Sequence, residues 1–131
     1  MTIDNKLLEF LSEEAKKSPR LRMNYDMRTT MNDQSQRMLN AIEPGTELPI
    51  HRHKNTTETC IIIHGAAEEL FYDDNGNITE RIVMEPNTDC CGVNIPVGRW
   101  HKIISLKPGT VIFEAKDGPY EPLSQDDILT L

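Results

Sequence analysis

The chain has 131 residues, 37% hydrophobic, 27% charged and 5% aromatic, with 14 Lys/Arg against 21 Asp/Glu for a net charge of −7. That length closes a single core and makes one domain, and its longest uninterrupted apolar run, Cys60 to Ile63, is far short of the about 20 residues that a membrane-spanning helix needs. An acidic chain is a poor binder of phosphate backbones, so neither a membrane nor nucleic acid is expected as a partner.

In chain order, the first predicted element is a helix. Ile3, Leu7, Leu8, Leu11 and Ala15 recur at three-to-four-residue spacing, Thr2 is placed to cap the start, and Ser18-Pro19 stops it. Asp4 and Glu9 stand where a signal peptide carries positive charge, and Lys16 and Lys17 where it carries a small-residue cleavage site, so a cytoplasmic location is expected. From Arg20 to Asp33 the pattern is polar and aperiodic and reads as an ordered arm laid across the main body. Charge is uneven here: residues 16–37 hold six Lys/Arg against two Asp/Glu, whereas residues 41–131 hold seven against fifteen. The basic stretch is either a solvated, charge-balancing loop or a surface that meets something anionic.

After Gln36 the sequence becomes a series of short β-like runs. Strands are predicted near 36–43, 48–53, 57–64, 67–73, 78–84, 90–95, 99–105 and 110–116. Pro44-Gly45, Asn75-Gly76, Glu85-Pro86-Asn87, Pro96-Val97-Gly98 and Lys107-Pro108-Gly109 supply the turn chemistry between them. About eight short strands in one domain predict an all-β fold, a small antiparallel sandwich or barrel. Residues 1–35 are then a helix and basic arm packing on a barrel of residues 36–120. Residues 121–131 form a tail whose Ile128, Leu129 and Leu131 dock on the body or reach a second copy; with open sheet edges, this makes a homodimer the expected assembly. Cys60, Cys90 and Cys91 have no CxxC spacing and no disulfide framework, and read as small hydrophobes buried in strands.

Three of the four histidines and one glutamate fall into a pattern that suits a metal. His51 and His53, two apart on one strand, project from the same face. Glu58 opens the next strand after a four-residue turn, and antiparallel pairing of the two strands would bring its carboxylate beside the imidazoles. His101 supplies a fourth ligand from a distant strand. Three neutral imidazoles and one carboxylate suit one divalent ion of the Fe, Mn, Co, Ni or Zn type. The alternative is that these are ordinary sheet or surface histidines. His64 shares the parity of Glu58, Cys60 and Ile62, which would turn it inward, but it adjoins the Gly65 turn, where rim exposure is expected.

In full the spacing is Gly45-x5-His51-x-His53-x4-Glu58-x6-Gly65, followed by Pro96-x-Gly98-x2-His101. It resembles the two motifs of the cupin superfamily, with Cys90 and Ser105 at two positions where the second motif has Gly and Asn. The resemblance implies a jelly-roll barrel with the four residues as metal ligands. Ser18-Pro19-Arg20-x-Arg22-x-Asn24, Gln36-Arg37, Trp100-His101 and Glu114-x-Lys116-x-Gly118-Pro119-Tyr120 are further similar to the WbuC family of cupin-fold metalloproteins. That similarity implies a biological setting in surface-polysaccharide gene clusters and no particular reaction.

A divalent ion with one carboxylate leaves a net charge of about +1, which favours an oxygen-rich or anionic ligand. Arg20, Arg22 and Asn24 are therefore candidate ligand-binding residues, holding a carboxylate or phosphate at the barrel mouth; the competing reading pairs the arginines with the acidic body to clamp the arm. Function stays open among a Lewis-acid enzyme acting on a small carbohydrate-derived or hydroxy-acid substrate, an Fe(II)-dependent dioxygenase, and a non-catalytic metal-dependent ligand-binding module. For proton transfer the sequence offers His64 and Tyr72, and no catalytic residue is assigned.

Overall fold

A computed structural model describes residues 1–131. Residues Asn5–Lys17 form helix α1. Its N-cap is Asp4, whose carboxylate accepts from the Leu7 backbone N–H at 3.0 Å. Thr2, the expected cap, instead donates its hydroxyl to Asp4 at 2.8 Å. An anionic acceptor at a helix start gains from both the free N–H groups and the helix dipole, so the carboxylate wins the position. Leu11 and Ala15 are fully buried against Leu39, Ala41 and Val111. Burying a leucine-sized side chain is worth about 1.5–3 kcal/mol, so packing on the sheet holds α1 in place. No helix is long and apolar enough to cross a membrane.

The arm after α1 contains a strand. Arg22–Asp26 form β1, antiparallel to β2 (Ser35–Ile42). Met23 and Tyr25 pack toward α1 while Arg22 and Asn24 turn the other way. Two apolar residues at period two make too short a signal to stand out from polar neighbours, which is why the sequence reads as aperiodic there. Within the arm, Arg28 pairs with Asp26 at 2.6 Å and Arg37 with Asp33 at 3.3 Å.

The remaining strands are β3 (Ile50–His51), β4 (Glu58–His64), β5 (Ala67–Tyr72), β6 (Ile78–Met84), β7 (Gly92–Ile95), β8 (Trp100–Ser105), β9 (Thr110–Asp117) and β10 (Ile128–Leu129). Seven of the eight predicted strands are close to their expected places. The exception is β3, two residues instead of six, because Pro49 has no N–H to donate to a ladder. Two five-stranded antiparallel sheets result, ordered β1-β2-β9-β4-β7 and β10-β3-β8-β5-β6, and they form a small jelly-roll barrel. The tail docks on its own chain: Ile128 pairs with His51 and Leu129 with Ile50.

Strand parity sorts the side chains. In the first sheet Leu39, Ala41 and Val111 face α1, while Ile42, Cys60, Ile62 and Ile112 face inward and meet Ala67 and Met84 of the second sheet. On the other face of that second sheet, Leu70, Tyr72 and Trp100 pack with Ile50. Further along the same inward rows stand Gln36, Met38, Asn40, Glu58, Glu114 and Lys116, which border a cavity. The barrel is thus apolar at one end and polar at the other.

Gly65, the last residue of the first motif, has φ +83°, and a Cβ there would lie 2.6 Å from the Thr110 Cα. Only glycine allows that close crossing of the β4–β5 turn over β9. A register shift in β4 between Ile62 and His64 breaks the inward parity. His64 is exposed, its Nδ1 2.8 Å from the Gly109 carbonyl oxygen. All three cysteines are free; Cys60 is buried in the core and Cys90 packs against it, but Cys91 is exposed, contrary to the expectation of burial.

Candidate metal centre

His51 ends β3, His53 follows two residues later in the connection, Glu58 opens β4 and His101 is second in β8. The route by which they meet differs from ladder pairing of the first two strands. β3 and β4 lie in different sheets, and His51 pairs in register with His101 of β8. Two imidazoles therefore come from adjacent strands of one sheet, and Glu58 faces them from the other. Ring centroids are 4.2 Å apart for His51 and His101 and 5.1 Å apart for His51 and His53. The potential ligand atoms of all four residues lie within 4.8 Å of one another. Bonds of about 2.0–2.2 Å to one ion separate neighbouring ligand atoms by about 3 Å and opposite ones by about 4 Å, so the cluster has the dimensions of a single-ion site.

Hydrogen bonds orient the imidazoles. His51 Nδ1 is 3.1 Å from the Pro49 carbonyl oxygen and His101 Nδ1 is 2.8 Å from that of Arg99. A carbonyl only accepts, so each Nδ1 carries the hydrogen and each Nε2 keeps its lone pair, the arrangement that metal-binding histidines use. His101 Nε2 is buried and has no hydrogen-bond partner. An orphaned buried nitrogen costs free energy in a fold that leaves it empty, and here it points to the cluster that an ion would fill. His53 Nε2 lies 3.1 Å from Glu58 Oε1, and His101 Nε2 lies 4.0 Å from the same oxygen.

The charge states fit as well. Burial, then the neighbouring His101, pushes His51 down to about 4, and burial also lowers His101. Burial alone would raise Glu58, but the His53 hydrogen bond and then the Lys116 charge outweigh it and hold the carboxyl below its ordinary range. Neutral imidazoles and an ionised carboxylate are the donor forms that a metal requires. These residues can hold one metal ion.

The cluster stands in the wall of a cavity of about 630 Å³, a volume suited to a small organic ligand. Arg22 and Asn24 line it from β1; Arg20 is exposed and is not part of its lining. Neither Arg20 nor Arg22 forms an ion pair with the body; the arm's ion pairs are Arg28 with Asp26, inside the arm, and Arg37 of β2 with Asp33. His64 and Tyr72 also lie outside the cavity lining.

A family model described as a domain of unknown function, DUF6016, matches residues 3–84. The chain belongs to this family. No curated protein matches its sequence. Among solved structures, it is similar to KdgF from Halomonas sp., with 14% identity over 79% of this chain and 84% of that one, at a TM-score of 0.61. It is also similar to the capsular polysaccharide assembling protein CapF from Staphylococcus aureus, with 21% identity over 87% of this chain and a TM-score of 0.66. A third is an oxalate oxidase, with 13% identity over 79% of this chain and a TM-score of 0.59. The chain spans 32% of CapF and 54% of the oxalate oxidase. At these identities the likeness is one of fold: these are cupin-fold proteins, and so is this DUF6016 chain.

The cavity of this DUF6016 protein also holds groups that sequence reading left unassigned. Glu69, Glu114, Lys116, Asn40 and Gln36 all line it. Parity was the available signal: Glu114 and Lys116 continue the inward row of Ile112, and Glu69 that of Ala67. Polar residues on an inward row of a barrel mark a lined cavity in place of a packed core.

Proposed function

We propose that this protein is a metal-binding cupin of the WbuC type that acts in the cytoplasm in surface-polysaccharide metabolism. In this reading His51, His53, Glu58 and His101 hold one divalent ion of Fe, Mn, Ni, Co or Zn, and a small anionic or sugar-derived ligand binds beside it. The observation that carries the reading is the orphaned His101 Nε2, aimed into a four-ligand cluster that opens on a cavity with only five hydrophobic residues among the 28 that line it. Small-molecule sites are usually lined mainly by apolar and aromatic side chains, so a lining this polar favours a hydrophilic, oxygen-rich ligand. When bound, the ion supplies Lewis acidity toward a ligand oxygen.

The protein's own groups supply recognition. Arg22 is half-buried, lines the cavity and lacks an ion pair; burial first, then Arg20, lowers its pKa. An anion docked on it would relieve both effects through charge-assisted hydrogen bonds, with Asn24 beside it on the same face of β1. The link to polysaccharide metabolism is supported by the WbuC-like motifs and, as an analogy of fold, by CapF. A homodimer is supported by the free edge strand β6, which exposes Ile78 and Val83.

Elemental analysis of the purified protein with mass spectrometry of any co-purifying small molecule tests this reading. One equivalent of a divalent ion and an anionic molecule are expected, the molecule being lost from Arg22→Ala while the ion remains. An uncharged molecule, or one retained by Arg22→Ala, contradicts the ligand assignment.

A further inference from the structure

Three of the glutamates that line the cavity, Glu58, Glu69 and Glu114, stand on inward strand rows, and they are not equally provided for. Glu58 lies 3.1 Å from His53 Nε2 and 3.8 Å from Lys116 Nζ. Glu114 accepts a hydrogen bond from the Asn40 side-chain amide at 3.4 Å. Glu69 is only 2% exposed, and nothing in the chain gives it a hydrogen bond or an ion pair. Its partners across the ladder are Ile103 on β8 and Ile82 on β6, which offer no polar side chain. Yet it lines the cavity together with the four metal-site residues.

The Glu69 side chain is packed among apolar neighbours while its carboxyl oxygens stay open to the cavity, where no group of the chain meets them; a carboxyl so placed is costly unless something in the cavity hydrogen-bonds to it. With no partner in its own chain and its oxygens facing the cavity, Glu69 is placed to meet a molecule that enters from outside. We propose that Glu69 is a ligand-recognition residue, donating a hydrogen bond from its carboxyl group to an oxygen of the molecule that occupies the cavity. In the metal-free protein burial, and then the charges of Glu58 and Glu114, raise its pKa to about 9, so there it holds its proton at neutral pH. The ligand it selects carries an accepting oxygen, as a hydroxy acid, a sugar acid or a phosphate does. A carboxylate in the same place would repel such an oxygen, which gives the protonated form its selectivity. The inference deepens the ligand-binding reading of the same cavity and rests on it.

Isothermal titration of glycolate, gluconate and inorganic phosphate into Co(II)-treated wild type, Glu69→Gln and Glu69→Leu tests it. Glutamine still offers a neutral donor; leucine keeps the volume and removes it. The expected result is that at least one probe binds wild type, binds Glu69→Gln within about threefold, and binds Glu69→Leu at least tenfold more weakly. Equal affinity in all three proteins, loss in Glu69→Gln equal to that in Glu69→Leu, or no binding of any probe to wild type overturns the proposal. Uptake of Co(II), followed by its visible absorption, is read separately. Failure of wild type to take up the ion counts against the metal reading, whereas the affinity ratios among the three proteins decide the role of Glu69.

Discussion

The two ends of the barrel are made from the same strands and do different work. Along β9 the inward residues run Ile112, Glu114, Lys116, and along β4 they run Ile62, Cys60, Glu58. At one end Ile42, Ile62, Ala67, Met84 and Ile112 are all 3% exposed or less and touch each other across the two sheets. At the other, His51, His53 and His101 stand with Glu58, Glu69, Glu114, Arg22 and Lys116 around open volume. Moving a few residues along one strand thus passes from groups whose burial stabilises the fold to groups whose burial costs free energy and is balanced only by charge partners or a bound species. A fold built this way can vary its polar end while its apolar end maintains the structure.

The sharpest test of that division is truncation at the apolar end. Ile112→Ala should destabilise by about 2–5 kcal/mol, from lost burial and the cavity left behind, as read from urea or thermal unfolding. The folded fraction should keep its metal stoichiometry; loss of metal in parallel with stability would show the two ends to be coupled.

At the polar end the expected effects depend on pH. In the metal-free protein His51 stays neutral down to about 4, whereas the unfolded chain titrates near 6.5. Between those values the unfolded state binds more protons, so stability falls as pH drops from 6.5 to 4, by up to about 3 kcal/mol at 1.36 kcal/mol per pKa unit. Glu69 acts in the other direction. It keeps to about 9 a proton that the unfolded chain loses near 4.5, so it costs increasing stability as pH rises through that range. Unfolding midpoints measured across pH should therefore show Glu69→Gln gaining on wild type from pH 4.5 to 9; a constant difference would place an ionised carboxylate in the wall.

A smaller effect is expected at the turn that closes the apolar end. Gly65→Ala meets both a left-handed φ and the Thr110 backbone, and should cost about 1–3 kcal/mol without changing metal content. The smallest effect on stability belongs to Arg22→Ala, within about 0.5 kcal/mol because the guanidinium has no ion pair to lose, while ligand retention falls.

Much of this was readable from local patterns. Turn residues delimit seven strands, and motif spacing singles out the four metal-site residues. What could not be read was how they meet. Two-residue spacing puts His51 and His53 on one side of the chain, but nothing local reveals that β3 joins β8 and β10 while Glu58 arrives from the opposite sheet. The strand β1 was hidden because Met23 and Tyr25 find their apolar partner in α1, a contact distant in sequence. Glu69 escaped notice for a related reason: a glutamate between Glu68 and Leu70 looks like a solvated residue until the barrel closes around it.

Whether His51, His53, Glu58 and His101 hold a metal is decided by metal content in wild type and in His51→Ala/His53→Ala, both folded by circular dichroism. About one equivalent of divalent ion in wild type and none in the double variant is the predicted result. A double variant that still retains one equivalent, or a wild type that takes up none, contradicts it.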